Sequence, residues 1–194
     1  MKSRLVDATL NCLQEYGYHG TSLSRILDKA GASRGAWRHH FASKIELVAE
    51  AAKQSLFRDG IELAETIAPR IAEGEYPLPR LLDFIWENFY QGRSRNVWVE
   101  LTVASRTDKQ LRELLRPIFS AFVNSLDRIW RKYFKTSSDS SVSVEMILNL
   151  TLYVIGGMGL QSIVHDNPAY YRSLRVQWTK MLTPLIQIKE AEKE

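Results

Sequence analysis

The sequence predicts an all-α protein: three short helices at the N-terminus, then a larger helical bundle. Three observations carry that prediction. Apolar residues recur at helical spacing along almost the whole chain, and no stretch alternates like a half-buried strand. Helix stop and start residues, among them Gly17, Gly31, Pro77, Pro79 and Pro168, fall between the periodic segments. Finally, 194 residues with 45% hydrophobic and 25% charged side chains suffice for a substantial core. One cysteine, Cys12, excludes an internal disulfide and a Cys-rich zinc site, and it fits a reducing, cytoplasmic setting. Met1-Lys2-Ser3-Arg4 leads directly into an amphipathic pattern, so no signal peptide is expected.

The first helix carries Leu5, Thr9, Leu10, Cys12, Leu13 and Tyr16 on one face, and Gly17 is expected to end it. Ile26, Leu27 and Ala30 form the buried side of the second. Ala30-Gly31-Ala32 is a turn, because Gly31 takes a left-handed conformation without strain. Ser33 is placed to cap the third helix, whose Trp37 and Phe41 read as core anchors. Ser43-Lys44-Ile45-Glu46 is an S-x-x-E capping box and opens a fourth helix, predicted to run as far as Ile67, before Pro69. Glu73 to Pro77 is a break. Helices follow over 79–91, 95–106 and 109–134, the last with a kink expected at Pro117. Thr136-Ser137-Ser138-Asp139-Ser140-Ser141 predicts a mobile surface loop. Two long helices close the chain, separated by His165-Asp166-Asn167-Pro168, where Asn167 caps and Pro168 takes the first helical position. His165 reads as a solvated helix-end residue.

Helix, glycine turn and short basic helix together form the layout of a helix-turn-helix, whose second helix enters the DNA major groove. Charge agrees with that layout. Residues 1–53 hold eight Lys/Arg against five acids, a net +3, whereas the other 141 residues net only +1. Arg34 and Arg38 are four residues apart and project from one face, and a guanidinium can donate two parallel bonds to guanine. Gly35 and Ala36 have little side chain, so the helix backbone can lie close to the groove. His39 and His40 can donate to phosphate or base acceptors, unless one of them turns inward. Thr21 and Ser22 offer hydroxyls and free amides to a phosphate oxygen, and Lys44 offers an ammonium.

Gly17-Tyr18, Gly20-Thr21-Ser22, Ile26, Ala30-Gly31-Ala32-Ser33, His40-Phe41 and Ser43-Lys44 stand in the order and spacing of a known pattern. The segment resembles the DNA-binding domain of TetR-type (TetR/AcrR) transcriptional regulators. The resemblance covers about the first fifty residues and divides the chain into a DNA-binding domain, 1–50, and an effector-binding and dimerisation domain, 51–194. It implies a homodimer that binds a palindromic operator on double-stranded DNA, as a repressor released by a small molecule. By position it assigns operator contacts to Thr21, Arg34, Gly35, Ala36, Arg38, His39 and Lys44. Arg38 stands where the family usually has tyrosine, a common phosphate contact, so whether it meets base or phosphate stays open. Trp37 replaces the usual aliphatic residue and fills more core. The leader before the first helix is short, leaving Lys2 and Arg4 as the whole N-terminal basic arm.

The rest of the chain resembles the family only in layout. Met146, Leu150, Tyr153, Gly157, Leu160 and Val164 repeat at alternating spacings of four and three, as do Leu174, Trp178, Met181, Leu185 and Ile188. Two such helices read as half of a four-helix interface between two copies, with Leu150, Tyr153, Gly157, Leu160, Leu174, Trp178, Met181 and Leu185 at the contact. The competing reading is an intramolecular core. Met146–Val164 is long enough to cross a bilayer, but Asn149, Thr151, Gln161, Ser162 and three glycines argue against a membrane span. Trp86, Phe89, Tyr90, Trp98, Phe122 and Tyr153 are the candidate lining of an effector pocket within a set of aromatics that is mostly core. The scarcity of buried-looking charge between Val97 and Val164 points to an uncharged or aromatic effector. No cofactor is expected. Paired carboxylates, His-x-x-x-His spacing, a nucleophile elbow and a P-loop are all missing, so the sequence does not read as an enzyme. The alternative is a DNA-binding dimer governed by a protein partner, with no small-molecule ligand.

Overall fold

The computed structural model describes residues 1–75, 77–137 and 141–189. Most of these residues lie in ten α-helices: α1 (Lys2–Gly20), α2 (Leu23–Ala30), α3 (Arg34–Arg38), α4 (Lys44–Gln54), α5 (Glu62–Ala72), α6 (Leu78–Asn88), α7 (Gly92–Ser105), α8 (Lys109–Tyr133), α9 (Val144–Gln161) and α10 (Pro168–Leu182). The fold is all-α. Among the described residues, β1 (Phe134–Thr136) and β2 (Ile186–Ile188) form a two-stranded antiparallel pairing. Strands of three residues are too short to show alternation, which is why the sequence gives no sign of them. Thr136 therefore lies in a strand rather than in the expected loop, and the Ser137 amide donates to the Leu185 carbonyl. Residues 138–140 of that loop, and Tyr76 of the predicted break, lie outside the described residues.

The chain gathers into two compact units, Met1–Asp59 with Gly92–Phe122, and Gly60–Gln91 with Val123–Glu194. The core of the first is built from Leu5, Leu10, Leu13, Ile26, Leu47 and Val48 together with Val97, Leu101 and Leu111. α7 thus packs against α1 with the same apolar faces that hold the three N-terminal helices. In the second unit Leu81, Leu82, Ile71, Trp130, Phe134 and Ile155 are buried. Trp130 donates its indole N–H to Asn149, at 3.3 Å.

Several predicted boundaries move. Gly17 does not end α1 but kinks it (φ 67°, ψ 179°), after which the helix makes another turn to Gly20. Tyr16, assigned to the buried face, is exposed and stacks under the Arg25 guanidinium, 4.3 Å away. The long fourth helix is two helices joined by a π-helical stretch, Ser55–Ile61, and it continues through Pro69 to Ala72. α8, by contrast, keeps almost the predicted bounds of 109–134, with Pro117 inside it. The capping box forms as predicted at its serine: Ser43 Oγ accepts the Glu46 amide at 3.3 Å. Glu46 reaches back to the amide of Ala42, one residue before the expected partner.

Candidate nucleic-acid interface

The turn between α2 and α3 is built from local chemistry. Gly31 is left-handed (φ 57°, ψ 43°), its amide donates to Asp28, and the Ala32 amide donates to Leu27 at 2.9 Å. This pair of bonds is a Schellman closure, which only a residue without a Cβ adopts freely. The Arg4 guanidinium donates to the Ala30 carbonyl and so adds a cation at the negative end of α2. Ser22 and Ser33 cap α2 and α3, accepting the amides of Arg25 and Ala36 at 3.3 and 3.2 Å. Trp37 and Phe41 are buried, as their reading as anchors requires.

Because Trp37 faces the core, the other positions of α3 face outward. Arg34, Gly35, Arg38, His39 and His40 are exposed and Ala36 is half-buried. Neither histidine turns inward. Among the described residues Arg34 and Arg38 make no ion pair. A recess of about 400 Å³ separates α2 from α3, lined by Leu23, Ser24, Arg34, Gly35, Trp37 and Arg38. Gly35 has open space where a side chain would stand: the nearest atom to a built Cβ is Ser33 Oγ at 4.0 Å. The fold itself therefore does not require glycine there. Ser24 is exposed on the same recess and the sequence reading overlooked it; its position two residues after the Ser22 cap was the available signal.

Two expectations need correction. Thr21 has neither a free hydroxyl nor a free amide. It is buried, its hydroxyl donates to the Gly17 carbonyl at 2.7 Å, and its amide bonds Gly17 and Tyr18. The kink at Gly17 exposes that carbonyl, and the threonine four residues on takes it. Lys2 and Arg4 do not form an arm. Both are within α1, Lys2 paired with Glu50 at 2.7 Å and Arg4 on the end of α2. Lys44 is partly committed as well, since it donates to the Thr21 carbonyl at 3.0 Å and lies over the Tyr18 ring. Ser22 remains exposed beside it.

The kink is held from α7 and from the turn that follows it. Glu100 accepts the Tyr18 amide at 3.0 Å, and a Cβ added to Gly17 would come within 2.6 Å of the same carboxylate. Asp108 accepts the Tyr18 hydroxyl at 2.6 Å and the Leu111 amide at 2.9 Å. The Leu111 amide first, and then the Tyr18 hydroxyl, hold the Asp108 carboxyl below its ordinary value. Burial, followed by the Asp108 bond, pushes the Tyr18 hydroxyl up. The sequence reading gave neither carboxylate a role. Their partners are some eighty to ninety residues away in sequence, and no local pattern marks such pairs.

Away from this region, the predicted contact stripe is largely in solvent. Leu150, Tyr153, Leu160, Met181 and Leu185 are exposed, and Gly157 has nothing within 4 Å of a built Cβ. Leu174 and Trp178 are half-buried between α9 and α10, where the Trp178 indole donates to Thr151 at 3.2 Å. Val164, the end of the stripe, is 88% exposed. By length and mean hydropathy Val144–Gln161 is also the one described helix that could cross a membrane. The candidate pocket aromatics divide between the units. Trp98 and Phe122 each contact Phe119 in the first. In the second, Trp86 stacks on Tyr171 and under the Arg175 guanidinium, and Phe89 stands edge-on to Tyr90. Tyr90 packs against Gly156 and Gly159, and burial pushes its hydroxyl pKa upward, with Tyr153 adding to the effect. Tyr153 itself is exposed, which suits the contact stripe better than a pocket wall. His165 is exposed at its helix end, against Tyr170.

Residues 5–51 match the family model of the bacterial regulatory proteins, tetR family. The chain is 25% identical over 174 residues to the HTH-type transcriptional regulator CymR of Pseudomonas putida, covering 90% of this chain and 85% of that one. It is 28% identical over 187 residues to an HTH-type transcriptional regulator of Mycobacterium bovis, covering 95% and 91%. Its fold is that of the transcriptional regulator FadR from Bacillus subtilis, solved with stearoyl-CoA, at a TM-score of 0.70 and 18% identity over 94% of this chain and 97% of that one. The matched segment is the one that presents Arg34, Gly35 and Arg38 on a capped and anchored helix. Residues 5–51 are thus a DNA-binding helix-turn-helix of the tetR family, in a chain whose relatives over most of its length are HTH-type transcriptional regulators.

Proposed function

We propose that the protein is a homodimeric repressor that binds a palindromic operator through α3 and leaves it when a small molecule binds. The observation that carries the reading is the face of α3: two exposed arginines, without an ion pair among the described residues, share it with Gly35, while the helix's aromatic residue is buried. Arg34 and Arg38 read base edges or clamp phosphate. Gly35 and Ala36 admit the helix backbone to the major groove, and Ser22, His39 and Lys44 position it on phosphates. Thr21 is retained in this set through its carbonyl, which orients Lys44, and no longer through its hydroxyl.

The exposed apolar stripe Leu150, Tyr153, Gly157, Leu160, Met181 and Leu185, with Leu174 and Trp178 behind it, is the proposed contact between two copies. An uncovered stripe of this kind is what a four-helix interface leaves bare in one protomer. It also accounts for the hydropathy of α9 without a membrane. Residues 1–50 form the reading domain and 51–194 the effector-binding and dimerising part, in a cytoplasmic protein. Trp98 and Phe122 in the first unit, and separately Trp86, Phe89 and Tyr90 in the second, are the candidate aromatic walls for an effector.

Selection of bound duplexes from a random pool tests the reading. The expected product is an inverted repeat whose half-site centres are about one helical turn apart or slightly more. A pool that stays random at moderate salt contradicts a sequence-reading function. The second reading, control by a protein partner, would leave the inverted repeat intact and remove only the response to small molecules.

A further inference from the structure

A second recess, of about 310 Å³, lies between α7 and α8 in the first unit. Trp98, Leu115 and Phe119 form its apolar walls, and Thr102, Arg112 and Arg116 line its polar edge. Three features give it a chemical preference. The Trp98 indole nitrogen is closed off from solvent, so it is the ring, and not the N–H, that is available at the recess wall. Arg112 makes no ion pair among the described residues, while Arg116 spends one nitrogen on the exposed Glu113, at 3.1 Å. No acidic side chain lines the recess.

From this arrangement we infer that the α7–α8 recess binds a small amphipathic carboxylate, an aromatic or medium-chain acid. The body of the acid lies against Trp98, Leu115 and Phe119, and its carboxylate meets the two guanidiniums. An uncharged apolar molecule would fill the walls but leave both cations unused. A cation would be repelled. An acid with an apolar body suits both the walls and the cations, and arginines four residues apart on one helix can both reach its carboxylate. Of the uncharged or aromatic effector of the sequence reading, the inference keeps the aromatic option and replaces the uncharged one with an anion. It rests on the effector-responsive function proposed above, to which it adds a site and a ligand class. α7 also carries Glu100, which holds the Tyr18 amide at the entrance to α2. A ligand that shifts α7 thus acts on the segment that aims the reading helix.

The test uses the full-length protein, with 2-naphthoate and decanoate as probes and their uncharged amides as controls. Titration followed by calorimetry and tryptophan fluorescence should show each acid binding at least about tenfold tighter than its amide. The double variant Arg112→Gln/Arg116→Gln should lose that preference while keeping the melting temperature, since both side chains are exposed. Trp98→Phe should weaken acid and amide alike. Equal affinities of acid and amide, a preference that survives the double variant, or no binding of either acid at millimolar concentration overturns the inference. So does a change of sedimentation mass in the double variant, which would make the recess a contact between copies. Operator affinity with and without 2-naphthoate is read separately. Recess-dependent binding that leaves operator affinity untouched supports the anion site and contradicts release by an effector.

Discussion

Arg34 and Gly35 sit side by side on α3 and their substitutions should have opposite signatures. Arg34→Ala removes a bidentate donor, so discrimination at one base position should fall by about 1–3 kcal/mol, while the fold is unaffected because the side chain is exposed. Gly35→Ala introduces a methyl group into open space, and alanine in a helix is about 0.5–1 kcal/mol better than glycine. The variant should therefore melt higher than the native protein and bind operator more weakly. A higher melting temperature with unchanged operator affinity would show that the α3 backbone does not approach the groove closely. Lys44→Ala should weaken binding to all duplexes by a similar factor and lower the slope of affinity against salt, as the loss of one phosphate contact does. Thr21, by contrast, shows the limit of residue-by-residue transfer. Its hydroxyl was matched by pattern to a phosphate contact, but the Gly17 kink supplies it with an internal acceptor.

Asp108 gives a pH dependence at this same scale. Its carboxyl is held below the ordinary value of 3.8, so the charged form is favoured in the folded state. Its contribution is complete above that value and is lost as pH falls through the lower, folded-state value. Stability measured by denaturant should thus fall more steeply with acid below about pH 4 in the native protein than in Asp108→Asn. Parallel acid profiles for the two proteins would contradict the Tyr18–Asp108–Leu111 arrangement.

At the scale of elements, α3 is five residues long and cannot sustain itself by helix propensity. Its two ends are fixed by Ser33 and by the buried Trp37 and Phe41. Trp37→Ala should cost about 3–5 kcal/mol, the range for a buried aromatic, and abolish operator binding with it. The caps and the glycine turn were legible in the sequence because each is a local rule: serine before the helix, left-handed glycine after it. The kink at Gly17, the helical passage through Pro69, and the pairing of β1 with β2 were not. Each depends on a partner distant in sequence or on packing that overrides the breaking tendency of proline. Glu100 and Asp108 went unseen for the same reason. Two acids on one helix and its following turn look like solvated surface until the fold brings Tyr18 to them.

For the molecule as a whole, the stripe on α9 and α10 was legible from its heptad spacing, and its exposure in a single chain leaves a face for a second copy. Leu150→Arg/Tyr153→Arg should convert a dimer into a folded monomer by sedimentation, since both side chains are exposed in the protomer. The monomer should bind an inverted repeat far more weakly than the native protein does. An unchanged mass would move the dimer contact elsewhere. The candidate effector aromatics were the least legible part of the sequence. Composition marks them as numerous, but only the fold separates the Trp98–Phe119–Phe122 cluster from the Trp86–Tyr171 stack.

The proposed repressor function depends on α3 reading bases, and one comparison tests that most directly. The affinity of the native protein for the selected duplex and for a scrambled duplex of equal length is measured at one salt concentration, then repeated with Arg34→Ala/Arg38→Ala. The predicted ratio for the native protein is about a thousandfold or more, collapsing towards unity in the variant while melting is unchanged. A native ratio near unity, or one that the variant preserves, would contradict the account.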